Sequence, residues 1–166
     1  DADVQVAMTL KSFEKAPVGH EMTQEGSKLA HVAMLKENGN GWFKKGDLKR
    51  AKRRYEAAVF FGEYEDEVKD KLAPVFGNLA MVATSLEDWA DCVAKCDKVL
   101  AADQKNVKAW YRKGNALGKL RDYDDSVKCL KIAIELDPKS AAARKCLKDV
   151  VGARKKAKAD EKAAYG

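Results

Sequence analysis

The chain has 166 residues, 46% of them hydrophobic and 35% charged, which is enough to bury the core of one domain. Its formal net charge of +6 at pH 7 is modest, and the excess of Lys and Arg lies between residues 144 and 162, which argues against a general polyanion-binding surface. No apolar run reaches the ~18 residues that cross a bilayer and no secretory signal is present, so no membrane partner is expected.

The first residues have a pattern different from the rest of the chain. Residues 4–10 alternate apolar and polar side chains, which is typical of a strand, although a disordered lead is an equal alternative. The chain starts at Asp1 and not at Met, which indicates an excised fragment. Residues 16–19 are typical of a linker, and a helix is expected to start at residues 23–25 or at Ser27.

Residues 107–140 fit a 34-residue helical-hairpin pattern. The positions that match are Trp110, Gly114, Leu117, Leu130, Ala133 and Pro138, whereas Lys113 and Ser126 depart from it. This pattern resembles the tetratricopeptide repeat. The same offset places a second repeat at residues 73–106, and a longer first repeat covers residues 32–72.

The last segment, residues 141–166, has apolar side chains at helical spacing and then becomes almost wholly polar and basic. A repeat array needs a terminal element to cover its last hairpin, so this segment is predicted to be a basic capping helix. The predicted fold is therefore all-α, with a repeat domain over residues 22–140. Three helix-turn-helix repeats would form a right-handed superhelix, as the resemblance to tetratricopeptide proteins implies.

The four cysteines lie inside helical patterns and lack the spacing of a disulfide framework or of a zinc site. Cys92 and Cys96 are one helical turn apart, so a metal site at these two thiols is conceivable. Both histidines lie far upstream, however, and would not complete such a site. We interpret all four as reduced core thiols, and we expect no metal and no cofactor.

Five polar residues are expected to converge on one groove, because the first helix of each hairpin lines the concave side of such an array. They are Lys36, Asn40, Asn78, Lys108 and Arg112. Two ammonium groups, one guanidinium and two carboxamides suit a ligand with two or more carboxylates. Phe43 and Met81 could add an apolar pocket for a peptide side chain. The alternative for each cation is a solvated helix face, but Asn78 stands in an apolar helix, where an unpaired amide would be costly.

Residues 35–40, 78–80 and 108–112 resemble the two-carboxylate clamp of tetratricopeptide co-chaperones. The resemblance implies a protein-binding module for the Met-Glu-Glu-Val-Asp tail of the ninety-kilodalton heat-shock chaperone, or for the related tail of the seventy-kilodalton one. The sequence does not separate these two partners.

Residues 10–16, followed by His20-Glu21-Met22, are similar to the junction between the FKBP domain and the repeats in large FKBP-type immunophilins. The resemblance implies that residues 1–16 are the last FKBP-domain strand and a linker. The parent protein would then be a peptidyl-prolyl isomerase whose catalytic domain lies upstream. The chain carries no catalytic motif of its own, so it is expected not to be an enzyme.

The basic segment from Arg154 to Lys158 offers an alternative function, the binding of calmodulin or nucleic acid. Calmodulin binding is implied by the resemblance to immunophilins, but the segment lacks the bulky apolar anchors of helix-in-groove recognition, and no nucleic-acid partner is expected. Reduced cysteines favour the cytoplasm, and the nucleus is a further compartment compatible with this chemistry.

Overall fold

The computed structural model describes residues 25–63, 68 and 71–165. Seven helices lie in these ranges: α1 Glu25–Lys44, α2 Leu48–Glu63, α3 Ala73–Ser85, α4 Trp89–Ala102, α5 Val107–Lys119, α6 Tyr123–Leu136 and α7 Ala141–Tyr165. The described ranges contain no strand, and the predicted all-α fold is confirmed. The strand predicted at residues 4–10, the proposed linker and the junction at residues 10–22 lie outside the described residues.

The helices pack in the order of the chain, as a stack of antiparallel hairpins does. Each helix contacts the next one along the sequence, and α3 also contacts α5, as α5 contacts α7. These last two contacts bring the first helices of successive hairpins side by side. No helix in the described residues is both long and apolar enough to cross a membrane.

The core runs through the first five helices of the stack. One buried cluster joins Val32 of α1, Tyr55 of α2, Leu79 of α3 and Ala109 of α5. A second cluster lies between α3, α4 and α5 and includes the thiols of Cys92 and Cys96. Each hairpin thus buries its apolar stripe only through its neighbours, which is how repeat proteins obtain a core.

An aspartate caps the second helix of every hairpin. The side chain of Asp47 accepts a hydrogen bond from the Arg50 amide at 2.9 Å, and Asp88 and Asp122 cap α4 and α6 in the same way. The residue before each aspartate has a positive φ, 79° at Gly46 but 58° and 65° at Glu87 and Arg121. The tight turn is therefore strain-free only in the first hairpin, where glycine occupies the position.

The ends of α4 and α6 are alike, although only α6 is followed by a proline, Pro138. Asp103 and Asp137 close these helices with φ values of −141° and −134°. Each carboxylate then accepts a hydrogen bond at 3.0 Å from the amide two residues on. The aspartate turn alone can thus end the helix.

Candidate functional site

Asn40 is the centre of a hydrogen-bond network that joins α1, α2 and α3. Its Oδ1 atom accepts bonds from the Tyr55 hydroxyl at 2.7 Å and from Nδ2 of Asn78 at 3.0 Å. Its own Nδ2 donates to Oε1 of Glu37 at 3.1 Å. The two predicted asparagines are thus brought into contact, and the amide of Asn78 has the partner that its apolar surroundings require.

The buried side chain of Tyr55 supports this network from the core side. Its side chain is fully buried, and burial raises the pKa of its hydroxyl, an effect that the nearby Glu37 carboxylate increases. The hydroxyl therefore stays protonated and remains a donor to Asn40. A Cβ atom on Gly39 would lie 2.5 Å from the Tyr55 ring, so the ring reaches Asn40 only because residue 39 has no side chain.

Lys36 lies on the other side of Glu37. Its Nζ atom is 3.7 Å from Oε1 of Glu37, and about one third of its side chain is exposed. Glu37 thus neutralises part of the positive charge that the sequence predicted at this end of the groove. Sequence reasoning gave Glu37 no role, and the same holds for the hydroxyl of Tyr55.

Lys108 and Arg112 lie at the other end, on α5, and line a cavity of about 490 Å³ between α3, α4 and α5. Asn78 and Met81 of α3 line the same cavity. Within the described part of the chain, no carboxylate lies within ion-pair distance of Lys108 or Arg112. The acidic residue in the wall, Asp103, instead bonds the amide of Lys105 and the side chain of Asn106.

The predicted residues therefore fall into two groups connected by one hydrogen bond. Asn78, Met81, Lys108 and Arg112 share the cavity, and Asn40 joins it through Asn78, with Lys36 beyond Glu37. Phe43 is half-buried and packs against the core cluster of the first hairpins. It is not among the residues that line the cavity.

Two thiols lie near this cavity. Cys96 is buried in its wall, and its interaction with the neighbouring Cys92 thiol lowers the pKa of Cys92 and raises that of Cys96. The charge of Arg112 favours the thiolate form of both. Cys92 and Cys129 are also buried and Cys146 is half-buried, and all four thiols are free, so the interpretation as core thiols agrees with the structure. In the described residues no group of three or more His, Cys, Asp or Glu side chains could hold a metal.

Comparison with known proteins agrees with the repeat pattern and the helical stack. Residues 107–140 match the tetratricopeptide repeat family. The C-terminal tetratricopeptide-containing domain of a Plasmodium falciparum FK506-binding protein superposes with a TM-score of 0.75 at 26% identity, covering 81% of this chain and 95% of that one. The chain is a tetratricopeptide-repeat domain.

A more specific relationship follows from the curated relatives. Peptidyl-prolyl cis-trans isomerase FKBP4 of Bos taurus is 32% identical over 152 residues, which cover 87% of this chain and 33% of that protein. The chain thus spans about one third of the length of the curated relatives it matches, and it is homologous to the tetratricopeptide-repeat region of FKBP4 and of FKBP-type proteins. The myosin chaperone UNC-45 from C. elegans, solved in complex with a Hsp90 peptide, superposes with a TM-score of 0.69 at 25% identity, over 75% of this chain and 14% of that one.

Proposed function

We propose that this domain is the protein-binding module of a co-chaperone and that it holds the acidic carboxyl-terminal tail of a heat-shock chaperone in the groove. The observation that carries the proposal is the cavity in which Lys108 and Arg112, both without an ionic partner in the described residues, face Asn78. Two cations and an amide at one open cavity can bind a terminal carboxylate together with an acidic side chain.

Asn40 and Lys36 extend this arrangement along the groove. The Tyr55 hydroxyl and Nδ2 of Asn78 both donate to the Oδ1 atom of Asn40, so its carbonyl is turned towards these donors and its NH₂ group is turned away. That NH₂ group now donates to Glu37, the same carboxylate that lies near Lys36. A ligand carboxylate that takes the place of Glu37 would receive bonds from both residues.

The resemblance to UNC-45 supports the choice of ligand, since that protein was solved with a Hsp90 peptide. The ligand proposed here is a tail that ends in Glu-Glu-Val-Asp, carried by the ninety-kilodalton or the seventy-kilodalton chaperone. Isothermal titration with both free peptides tests the proposal. We expect dissociation constants at about micromolar values, and no heat of binding to either peptide would contradict it.

We infer that isomerase activity belongs to another part of the FKBP4-type protein. The 33% of that protein to which this chain is similar is its repeat region, which is not the catalytic part. A proline-isomerisation assay on this chain should therefore show no activity above buffer.

We further propose a cytoplasmic or nuclear location, which four free thiols favour.

The basic end of α7 is the structural basis of the alternative function. Lys155, Lys156 and Lys158 are exposed, while Arg154 forms an ion pair with Asp124 at 2.5 Å. Removing residues 153–166 and comparing the binding of chaperone peptide, calmodulin and DNA separates the two functions. Binding of calmodulin or DNA that is lost with this segment, together with no binding of the chaperone peptide by the parent, would favour the alternative.

Glu37→Gln should strengthen tail binding about two- to threefold, or ~0.5 kcal/mol, because it removes a carboxylate that competes for Lys36 and Asn40. The effect is small since Glu37 is mostly exposed. Glu135→Gln removes the same charge from an exposed position on α6 and serves as the control in the same titration. Equal affinities for the two variants would show that Glu37 does not compete with the ligand.

A further inference from the structure

A second cavity, of about 410 Å³, lies on the first hairpin, between the end of α1 and the first half of α2. Its walls are formed by Trp42 of α1 and by Arg50, Arg53 and Arg54 of α2. It shares no lining residue with the cavity between α3, α4 and α5. The function proposed above gives no role to this arginine-lined cavity.

The three arginines lie on one face of α2, because positions 50, 53 and 54 have the spacing that brings helical side chains together. Like charges at this spacing repel each other and lower the stability of a helix. Arg53 and Arg54 are exposed, and no carboxylate of the described residues lies within ion-pair distance of either. The donors of both guanidinium groups are therefore available to a ligand.

Arg50 is held at the cavity by two neighbours. Its guanidinium lies over the Trp42 ring, 4.6 Å from the ring centroid, and its Nε atom is 3.3 Å from Oδ2 of Asp47. Stacking on an aromatic ring leaves the edge of a guanidinium free to donate hydrogen bonds. Arg50 is thus partly ordered before any ligand arrives, which lowers the entropy cost of binding.

The basic start of α2 departs from the pattern of the other hairpins. The third residue after the capping aspartate is Asp91 in α4 and Asp125 in α6, but it is Arg50 in α2. An acidic side chain in the first turn interacts favourably with the helix dipole, whereas a basic one does not. Natural proteins tolerate such departures chiefly at functional sites, and an anion in the cavity would offset both the repulsion and the unfavourable dipole interaction.

The ligand that suits three arginines around one cavity is a phosphomonoester. Its phosphoryl group carries a charge of about −1.5 to −2 at pH 7 and three acceptor oxygens, which guanidinium groups bind two at a time. A carboxylate offers two oxygens and one charge, so it would leave part of the cluster without a partner. We propose that this cavity binds a phosphorylated serine or threonine side chain of a partner protein.

The shape of the site favours a peptide as the carrier of the phosphate. A cavity of about 410 Å³ has room for the phosphoryl group together with the residue that carries it. A lipid surface would require exposed apolar side chains that insert between headgroups, and the lining residues include none. This inference does not depend on the proposed function, since the groove residues and the arginine-lined cavity are separate.

The test is isothermal titration with three pentapeptides with blocked ends, which differ only in a central phosphoserine, glutamate or serine between glycine and alanine residues. We expect the phosphoserine peptide to bind at least tenfold more tightly than the glutamate peptide, and the serine peptide not to bind measurably. The side-chain Nε–Hε NMR signals of Arg50, Arg53 and Arg54 should shift with the phosphoserine peptide. The signal of Arg144, which is exposed on α7 and lies outside the cavity, should not shift.

Two double variants separate the guanidinium groups from their charge. Arg53→Gln/Arg54→Gln should weaken phosphoserine binding at least tenfold, and Arg53→Lys/Arg54→Lys, which keeps both charges, should lose the preference for phosphoserine over glutamate. Lys131→Gln/Arg144→Gln removes the same charge as the first variant from exposed positions outside the cavity, and it should bind as the parent does. All three variants should retain their affinity for the Met-Glu-Glu-Val-Asp peptide.

Equal affinities of the parent for the phosphoserine and glutamate peptides would overturn the inference. Parent-like phosphoserine binding by either variant at positions 53 and 54 would overturn it as well. Co-sedimentation with phosphatidylserine vesicles that requires Arg53 and Arg54, without binding of the phosphoserine peptide, would assign the cluster to a lipid surface instead. None of these results bears on the groove, which the chaperone peptides test separately.

Discussion

Arg112→Ala and Lys108→Ala should each weaken binding of the Met-Glu-Glu-Val-Asp peptide at least tenfold. A peptide that binds at about micromolar strength has ~8 kcal/mol of binding free energy, and a hydrogen bond to a charged group contributes about 1.5 to 3 kcal/mol of it. Both side chains line the same cavity and have no competing ion pair in the described residues. Their full donor capacity is therefore available to the ligand.

Asn78→Ala should cost somewhat less, because it removes a neutral donor. Lys131→Ala is the matched control, since Lys131 is exposed on α6 and lies outside the groove. Calorimetry on variants with unchanged helical content measures these effects. Parent-like affinity of both Lys108→Ala and Arg112→Ala would refute the assignment of the groove and would favour the basic end of α7.

Gly114→Leu should destabilise the domain by ~3 kcal/mol or more. A Cβ atom on residue 114 would lie 2.6 Å from Cγ of Leu130 and 3.2 Å from the main-chain oxygen of Ser126. Both neighbours are fully buried, and the Ser126 hydroxyl also donates to the Gly114 carbonyl at 2.6 Å. The side chain can enter only if α5 and α6 move apart, and overpacking of this kind costs about 1 to 3 kcal/mol before any hydrogen bond is lost.

Thermal melts of the parent and of Gly114→Leu measure this destabilisation, and we expect Tm to fall by about 10 °C for a chain of this size. Gly152→Leu is the matched control, because Gly152 lies on an exposed face of α7 and an added Cβ meets no atom within 4 Å. Leucine has a higher helix propensity than glycine, so the control should be neutral or slightly more stable. A ranking in the opposite order would mean that Gly114 does not lie at the close contact between α5 and α6.

The repeat spacing explains why much of the fold could be predicted. The helices α3, α5 and α7 begin at Ala73, Val107 and Ala141, the residues at which the 34-residue offset starts each new unit. A repeat of fixed length fixes which residues are equivalent, and equivalent residues occupy equivalent places in the stack. Asn40 and Asn78 are expected to lie close together because they belong to the first helices of neighbouring hairpins, α1 and α3, and the structure brings them into contact.

The network around Asn40 could not be predicted in the same way. The Tyr55 hydroxyl reaches Asn40 only because Gly39 leaves room for the ring, and this depends on how closely α1 and α2 approach each other. Glu37 lies on an exposed turn of α1, where it accepts a hydrogen bond from Asn40 and lies close to Lys36. At such an exposed position the sequence does not determine which of several rotamers the side chain adopts. Periodicity determines the face of a helix on which a side chain lies, while its partner is determined by the packing of neighbouring helices.

The most direct test of the proposed function is a titration with the Met-Glu-Glu-Val-Asp peptide in two forms, the free acid and the carboxyl-terminal amide. The amide keeps every side chain and loses only the terminal charge that Lys108, Arg112 and Asn78 are proposed to hold. We expect the free acid to bind at about micromolar strength, more weakly as salt rises, and the amide to lose most of that affinity. Undiminished binding of the amidated peptide would contradict the proposal that the groove recognises a chain terminus.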